Sequence, residues 1–239
     1  MLKNINYSKI LFFDIETVPL TFNYKELDER GQGLWDRKTR FIQERENINA
    51  EEVYEKAGIY AEFGKVVCIS LGFVLQKEGE TQIRIKSIAN EDEIVLLQEF
   101  LDLLNSYYNS PDFMFCAHNG KEFDIPFLCR RILINNLKIP YMLNISGKKP
   151  WEIKHLDTME LWKFGDFKNY TSLDLLTYVF KIPTPKDDMD GSQVAKVFYQ
   201  DKDLDRIIHY CEKDVVATIQ LFRKYQGDSL IEEEFIQIA

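Results

Sequence analysis

The sequence lacks any run approaching the roughly 18 apolar residues that would span a bilayer, and its first ten residues, MLKNINYSKI, lack the apolar stretch of a secretory signal. A cytosolic (cytoplasmic) protein is expected, with no membrane partner. Cysteine is sparse. Cys68, Cys116, Cys129 and Cys211 sit singly in apolar contexts, a spacing that indicates neither zinc nor a disulfide framework and leaves them as small core residues. Positive charge is also in deficit: 30 Lys and Arg face 39 Asp and Glu, a formal net charge of -9 that argues against a broad basic surface gripping long duplex DNA. A few local basic residues can still hold a short strand. No shift in composition divides the 239 residues, 45% of them hydrophobic, so one domain over 1–239 with one sizeable core is expected.

What is present centres on LFFDIET, residues 11–17, an apolar run that reads as a buried strand carrying Asp14 and Glu16 at its end. Side chains two apart on a strand share a face, so both carboxylates converge. Leu11, Phe12 and Phe13 leave no solvent face before them, which predicts a central strand covered on both sides. Two like charges beside a core repel each other and lose hydration. Protonation, a basic partner or a metal ion must balance them.

Residues 21–57 are polar and charged and predict a helical insertion after that first strand, with Trp35, Phe41, Ile42 and Val53 laid over something. Asn49 and Glu52 form a capping pair, and Gly58 marks the stop. The cluster Arg37, Lys38 and Arg40 between Trp35 and Phe41 could contact phosphates and stack a base, although Glu44 and Glu46 favour a plain solvated face. A hairpin follows over 65–75 and 81–88, its second strand toward a sheet edge, then a helix over 91–108 with Ile94, Leu97, Leu101 and Leu104 on one face. A short strand spans 112–117. Pro126 fits only the first turn of a helix, which places Asp124 at a helix N-terminus, where the macrodipole favours its ionised form.

A further short strand ends near Asp157 before a helix start, and Thr171 with Asp174 reads as the cap of a helix through Val179. Pro183, Pro185 and Gly191 set a loop, after which Ser192 caps a short helix. His155, Asp187, Asp188 and Asp190 read as solvated or structural. The last strong element is a helix over 203–225, on which Tyr210 and Asp214 lie about 40° apart around the axis and share a face. His209 stands about 140° from Asp214 on that helix, a poorer neighbour.

Together these segments resemble the DEDD superfamily of 3′-to-5′ exonucleases. Asp14 and Glu16 match its D-x-E motif, and Asn119, Phe123, Asp124, Pro126, Phe127 and Leu128 match the N-x-x-x-F-D-x-P-(F/Y)-L form found in proofreading domains of family B DNA polymerases. Tyr210 and Asp214 match the Y-x-x-x-D of the tyrosine subclass. His209 also satisfies the H-x-x-x-x-D of the histidine subclass, but Tyr210 is favoured by the polymerase-type second motif and by the turn of the helix. The likeness is greatest to the predicted stand-alone exonucleases related to those proofreading domains.

The resemblance implies an α/β fold of the RNase H-like, DnaQ-like exonuclease type, a mixed sheet flanked by helices. It implies two divalent cations, Mg²⁺ or Mn²⁺: one held by Asp14, Glu16 and Asp214, the other bridged by Asp14 to Asp124. Tyr210 would orient the attacking water. Ile15, Thr17, Asn119 and Phe123 would contact the substrate, the 3′ end of single-stranded DNA or RNA, and release nucleoside 5′-monophosphates. Two other readings stand beside this one: an RNase H-like module that binds a nucleic-acid end or a protein without cleaving, and an exonuclease specific for RNA.

Overall fold

The computed structural model describes residues 2, 5–166, 168, 170–183 and 189–238. Pro185, Asp187 and Asp188 of the 181–192 loop lie outside them. The strands are β1 (Ile10–Pro19), β2 (Gly64–Lys77), β3 (Glu80–Ala89), β4 (Met114–Ala117), β5 (Leu156–Asp157) and β6 (Ile236–Ile238). They form one sheet in the order β5-β4-β1-β2-β3-β6. β1 is antiparallel to β2 and parallel to β4, so it sits inside the sheet with both edges hydrogen-bonded. The β2–β3 hairpin turns through Glu78 and Gly79, both with positive φ, as a two-residue turn matched to strand twist requires. β6, which has no strong strand signature, pairs parallel to β3 and takes the edge position.

The helices are α1 (Glu29–Glu46), α2 (Ala50–Val53), α3 (Glu93–Tyr107), α4 (Asp124–Ile134), α5 (Thr158–Lys163), α6 (Leu173–Phe180), α7 (Val194–Lys196) and α8 (Leu204–Gln226). Alternation along β1 divides the core. Leu11, Phe13 and Ile15 pack with Leu97 and Phe100 of α3 and Phe127 and Leu128 of α4, whereas Ile10 and Phe12 pack with Val215, Ile219 and Phe222 of α8. The covered central strand expected from LFFDIET is therefore present, and the mixed sheet with helices on both faces is an RNase H-like α/β fold. Among the described residues no helix is long and apolar enough to cross a membrane.

α8 lies directly on β2 because Gly72 leaves room for it. A methyl group there would sit 2.6 Å from Val215 Cγ1 and 2.9 Å from Ile219 Cδ1. The insertion has a small core of its own, with Trp35 fully buried among Val53, Tyr54, Ala57 and Phe63 and its indole N–H donated to the Ala50 carbonyl at 2.8 Å. This corrects the stacking role considered for Trp35, which has no face to offer a base. Its basic neighbours are engaged as well: Lys38 pairs with Glu62 at 3.5 Å, Arg40 with Asp36 at 3.7 Å, and Arg37 donates to the Gly33 carbonyl. The Asn49–Glu52 capping box forms. Gly58 lies within the helical turn Tyr54–Ile59, pressed on β1, and accepts the Thr17 hydroxyl at 2.8 Å.

Other local expectations shift by a residue or a face. Ile94 points outward, and the buried face of α3 is Glu93, Leu96, Leu97, Phe100, Leu101 and Leu104. Ser172, not Thr171, caps α6, because its hydroxyl reaches the Leu175 amide. Asp190, not Ser192, provides the cap before α7, in a box with Gln193. His155 is structural: its Nδ1 accepts from the Phe115 amide and its other ring nitrogen faces the Met142 carbonyl, so that nitrogen carries the proton.

One buried hub ties these layers together. The Glu93 carboxylate accepts from the Val66 amide at 2.8 Å, Arg131 Nε at 2.9 Å and Asn135 Nδ2 at 2.9 Å, while Arg131 also donates to the Ala61 carbonyl. It joins β2, α3, α4 and the turn that links the insertion to β2. Removing one member strands the other charge in the core, so Glu93→Ala is expected to cost about 3–5 kcal/mol in urea unfolding. Glu93→Leu with Arg131→Met should cost less than the single change. A single-variant loss below about 1 kcal/mol would show that the hub does not hold the layers.

Candidate active site

The site is built from three elements that meet at β1. Asp14 and Glu16 continue the face of β1 that carries Phe12, opposite Ser70 and Cys68 of β2, with a register shift just after Glu16. The same face receives α8. Phe12 meets Phe222 edge to face at 5.6 Å, and about two to three turns toward the start of α8 come Asp214, Cys211 and Tyr210. The Tyr210 hydroxyl hydrogen-bonds Asp214, as expected for two residues four apart on a helix. His209 is exposed and lies 3.8 Å from Glu212, turned from the acids.

Asp124 arrives from β4, the other neighbour of β1. It is the first residue of α4, 3% exposed, and its carboxylate receives the Ile15 amide. The loop before it is tightly shaped. Asn119 has φ 64°, and a methyl at Gly120 would sit 2.4 Å from the Ala117 side chain. Buried Asp157 fixes this loop by accepting the Asn119 and Lys121 amides, both at 3.0 Å, while also capping α5 through Met159 and Glu160. His118 adds a second tie, bridging the Thr158 hydroxyl at 2.8 Å and the Thr171 carbonyl at 3.0 Å. Tyr170 reaches across to Asn119 Oδ1 at 3.1 Å and to Glu122.

The expected substrate-contacting residues fall in different settings. Phe123 is half-buried with its ring beside Phe127, and Asn119 is half-buried at the loop's left-handed position. The Ile15 side chain is in the core and its amide is committed to Asp124. Thr17 is committed to Gly58.

Burial is the largest influence on the acids, and they act on one another. Asp14 is pushed well above the ordinary carboxylate value by desolvation, then by Asp124, Glu16 and Asp214. Glu16 rises for the same first reason and then through Asp214. Asp124 is raised to about 7, desolvation outweighing the backbone amides that pull it down. Burial followed by Asp214, Glu16 and Asp14 raises the Tyr210 phenol, which stays protonated at neutral pH. Among the described residues, no Lys or Arg figures in the leading influences on Asp14, Glu16 or Asp124. Crowded carboxylate oxygens are the donor set that hard divalent ions require, so the residues fit a hard divalent cation.

Cys211 was missed. Its thiol donates to Asp14 Oδ2 at 3.4 Å, and Asp14, Glu16 and Cys211 together offer ligand atoms all within 4.8 Å of one another. The signal was the i, i+3 spacing of Cys211 and Asp214. The caps formed by Asp157 were legible in D-T-M-E, whereas its hold on the 118–121 loop had no local signature.

The fold and this acid cluster define an RNase H-like domain of the nuclease type. The chain belongs to the family of predicted 3′-5′ exonucleases related to the exonuclease domain of PolB, which matches residues 59–237, about three quarters of its length. No curated protein matches the chain. The matched segment contains Asp124, Tyr210 and Asp214 and supplies both strands that flank β1.

The elevated acids set a pH dependence. Between the ordinary value of 3.8 and about 7, folded Asp124 holds a proton that the unfolded chain has lost, so this contribution makes stability fall as pH rises through that window. In chelator, Asp124→Asn should therefore melt higher than the parent at pH 7–8, with the gap closing toward pH 4. Thermal melts in a pH series test it, and an unchanged gap across the series would refute the assignment.

Proposed function

We propose that the chain is a metal-dependent 3′-5′ exonuclease that removes nucleoside 5′-monophosphates from the 3′ end of single-stranded nucleic acid, DNA in preference to RNA. The observation that carries this reading is the meeting of Asp14 and Glu16 from β1, Asp124 from α4 and Tyr210 with Asp214 from α8 in one desolvated corner, within a chain of this family. The preference for DNA rests on the family's relation to a DNA polymerase exonuclease domain.

Asp14, Glu16, Asp124 and Asp214 would hold the divalent ions. When bound, such ions make a water nucleophilic near neutral pH and stabilise charge on the leaving oxygen. Tyr210 acts as a hydrogen-bonding group and not as a base, because burial and the neighbouring carboxylates raise its phenol and keep it protonated at neutral pH. Its O–H donates to Asp214, which fixes the ring and leaves the phenol oxygen to accept from, and so position, the attacking water. Phe123 presents a half-buried ring on which a terminal base can stack. Asn119, its backbone fixed by Asp157 and its side chain met by Tyr170, offers a polar contact to the terminal nucleotide.

The test is a 5′-labelled single-stranded DNA oligomer incubated with Mn²⁺ or Mg²⁺ beside a matched RNA. A ladder shortening from the 3′ end, abolished by EDTA, is expected, with DNA cut faster. Asp14→Ala and Asp214→Ala should lose at least about 10²-fold, and Tyr210→Phe about 10- to 10²-fold. His209→Ala should match the parent. Undiminished cutting by Asp14→Ala, or no cutting of either oligomer, would overturn the reading.

A further inference from the structure

The two cysteines behind the acids are placed for more than packing. Cys68 stands opposite Glu16 in the β1–β2 register, and Cys211 on α8 hydrogen-bonds both the Cys68 side chain and Asp14 Oδ2. Carboxylate and thiol donors thus share one corner. Zinc binds thiolate near 2.3 Å and carboxylate oxygen near 2.0–2.2 Å, so an O···S edge of a tetrahedral site measures about 3.6 Å. The observed 3.4 Å between Asp14 Oδ2 and Cys211 Sγ is close to that edge.

We propose that Asp14, Glu16 and Cys211, with Cys68 alongside, form a mixed carboxylate–thiol site for a thiophilic divalent cation of the Zn²⁺ or Cd²⁺ class. Binding breaks the Cys211 S–H bond, releases the proton to solvent and forms a sulfur–metal bond without electron transfer. Such an ion occupies the two β1 carboxylates and excludes the hard ions from them. Only that inhibitory consequence rests on the proposed nuclease reading; binding itself does not. Hard ions favour oxygen ligands over sulfur, so Mg²⁺ gains nothing from Cys211 and the thiol discriminates between the two classes of ion.

Cadmium titration of the purified protein tests this, because thiolate-to-cadmium charge transfer gives an ultraviolet band that carboxylates do not. One equivalent of Cd²⁺ should saturate the band in the parent chain, and Zn²⁺ should displace it. Cys211→Ser should abolish the band or weaken binding by about 100-fold or more, beyond the 10- to 100-fold typical of outer-shell changes. Cys129→Ser, whose thiol instead faces the Leu143 carbonyl, should leave it intact. If circular dichroism shows that Cys211→Ser does not fold, Asp14→Asn decides, since it keeps the thiol and should weaken Cd²⁺ at least tenfold. Absence of a thiolate band in the parent, an equal band in folded Cys211→Ser, or unchanged affinity in Asp14→Asn would overturn the proposal. Mn²⁺-dependent cleavage measured on the same preparation keeps the two readings apart: a band without cleavage sinks the nuclease assignment alone, and cleavage without a band sinks this site alone.

Discussion

Like-charge repulsion inside a low-dielectric corner is the constraint on which the rest of the structure depends. Asp14, Glu16 and Asp124 each lose hydration and each disfavour the ionisation of a neighbour, an arrangement a relaxed chain would escape by moving them apart. Desolvation of an ion costs several kcal/mol even after relaxation, whereas a helix N-terminus returns about 0.3–1 kcal/mol, up to about 2. Local helix and cap effects therefore cannot hold the acids in place. The apolar contacts on either side of β1 must do so. Phe12, Val215, Ile219 and Phe222 are fully buried, and at about 1.5–3 kcal/mol for each large side chain their combined burial is of the size needed to clamp α8 to the sheet. Gly72 sets how near that clamp closes, and so how near Asp214 comes to Glu16.

The same constraint explains the style of support around Asp124. Its carboxylate is held through main-chain amides, and the loop leading to it is held by Asp157 and His118. Backbone donors bring attraction without bringing mobile cations. A lysine in this corner would neutralise the acids and compete with any divalent ion. The formal charge of -9 is consistent with such a design, since these four carboxylates contribute to that formal count directly. Lys38 and Arg40 of the insertion are matched with Glu62 and Asp36, and the turn Tyr54–Ile59 that closes it braces β1 through Thr17 and Gly58.

Much of this was legible wherever the determinant was local. Apolar runs gave β1 and β2, Pro126 fixed the start of α4, and the 3.6-residue period gave α8 and paired Tyr210 with Asp214. Errors arose where two adjacent residues could serve equally, as with Thr171 and Ser172, or where a helix carried apolar residues on both faces, as with Ile94. β6 escaped because three residues pairing with a distant strand carry little pattern of their own. Cys211 was read as packing because its context is apolar. Its partner Asp14 lies 197 residues away in sequence, and only the closed fold brings that carboxylate to the thiol.

The division between legible and hidden parts follows the chemistry. Ligand identity is written into short motifs because each acid needs only its own strand end or helix turn. Mutual distance is not, because it depends on β1 lying between β2 and β4 while α8 crosses one face and α4 begins beside the other. Asp157 shows how far the dependence extends. One carboxylate on β5 caps its own helix and fixes the turn that delivers Asp124, so a strand of two residues at the sheet edge takes part in setting the position of an acid on the far side of β4. Such a residue has the burial and hydrogen bonding of a structural group and the leverage of a positioning one. Its influence on the corner passes through loop geometry, whereas Cys211 acts on Asp14 by direct contact.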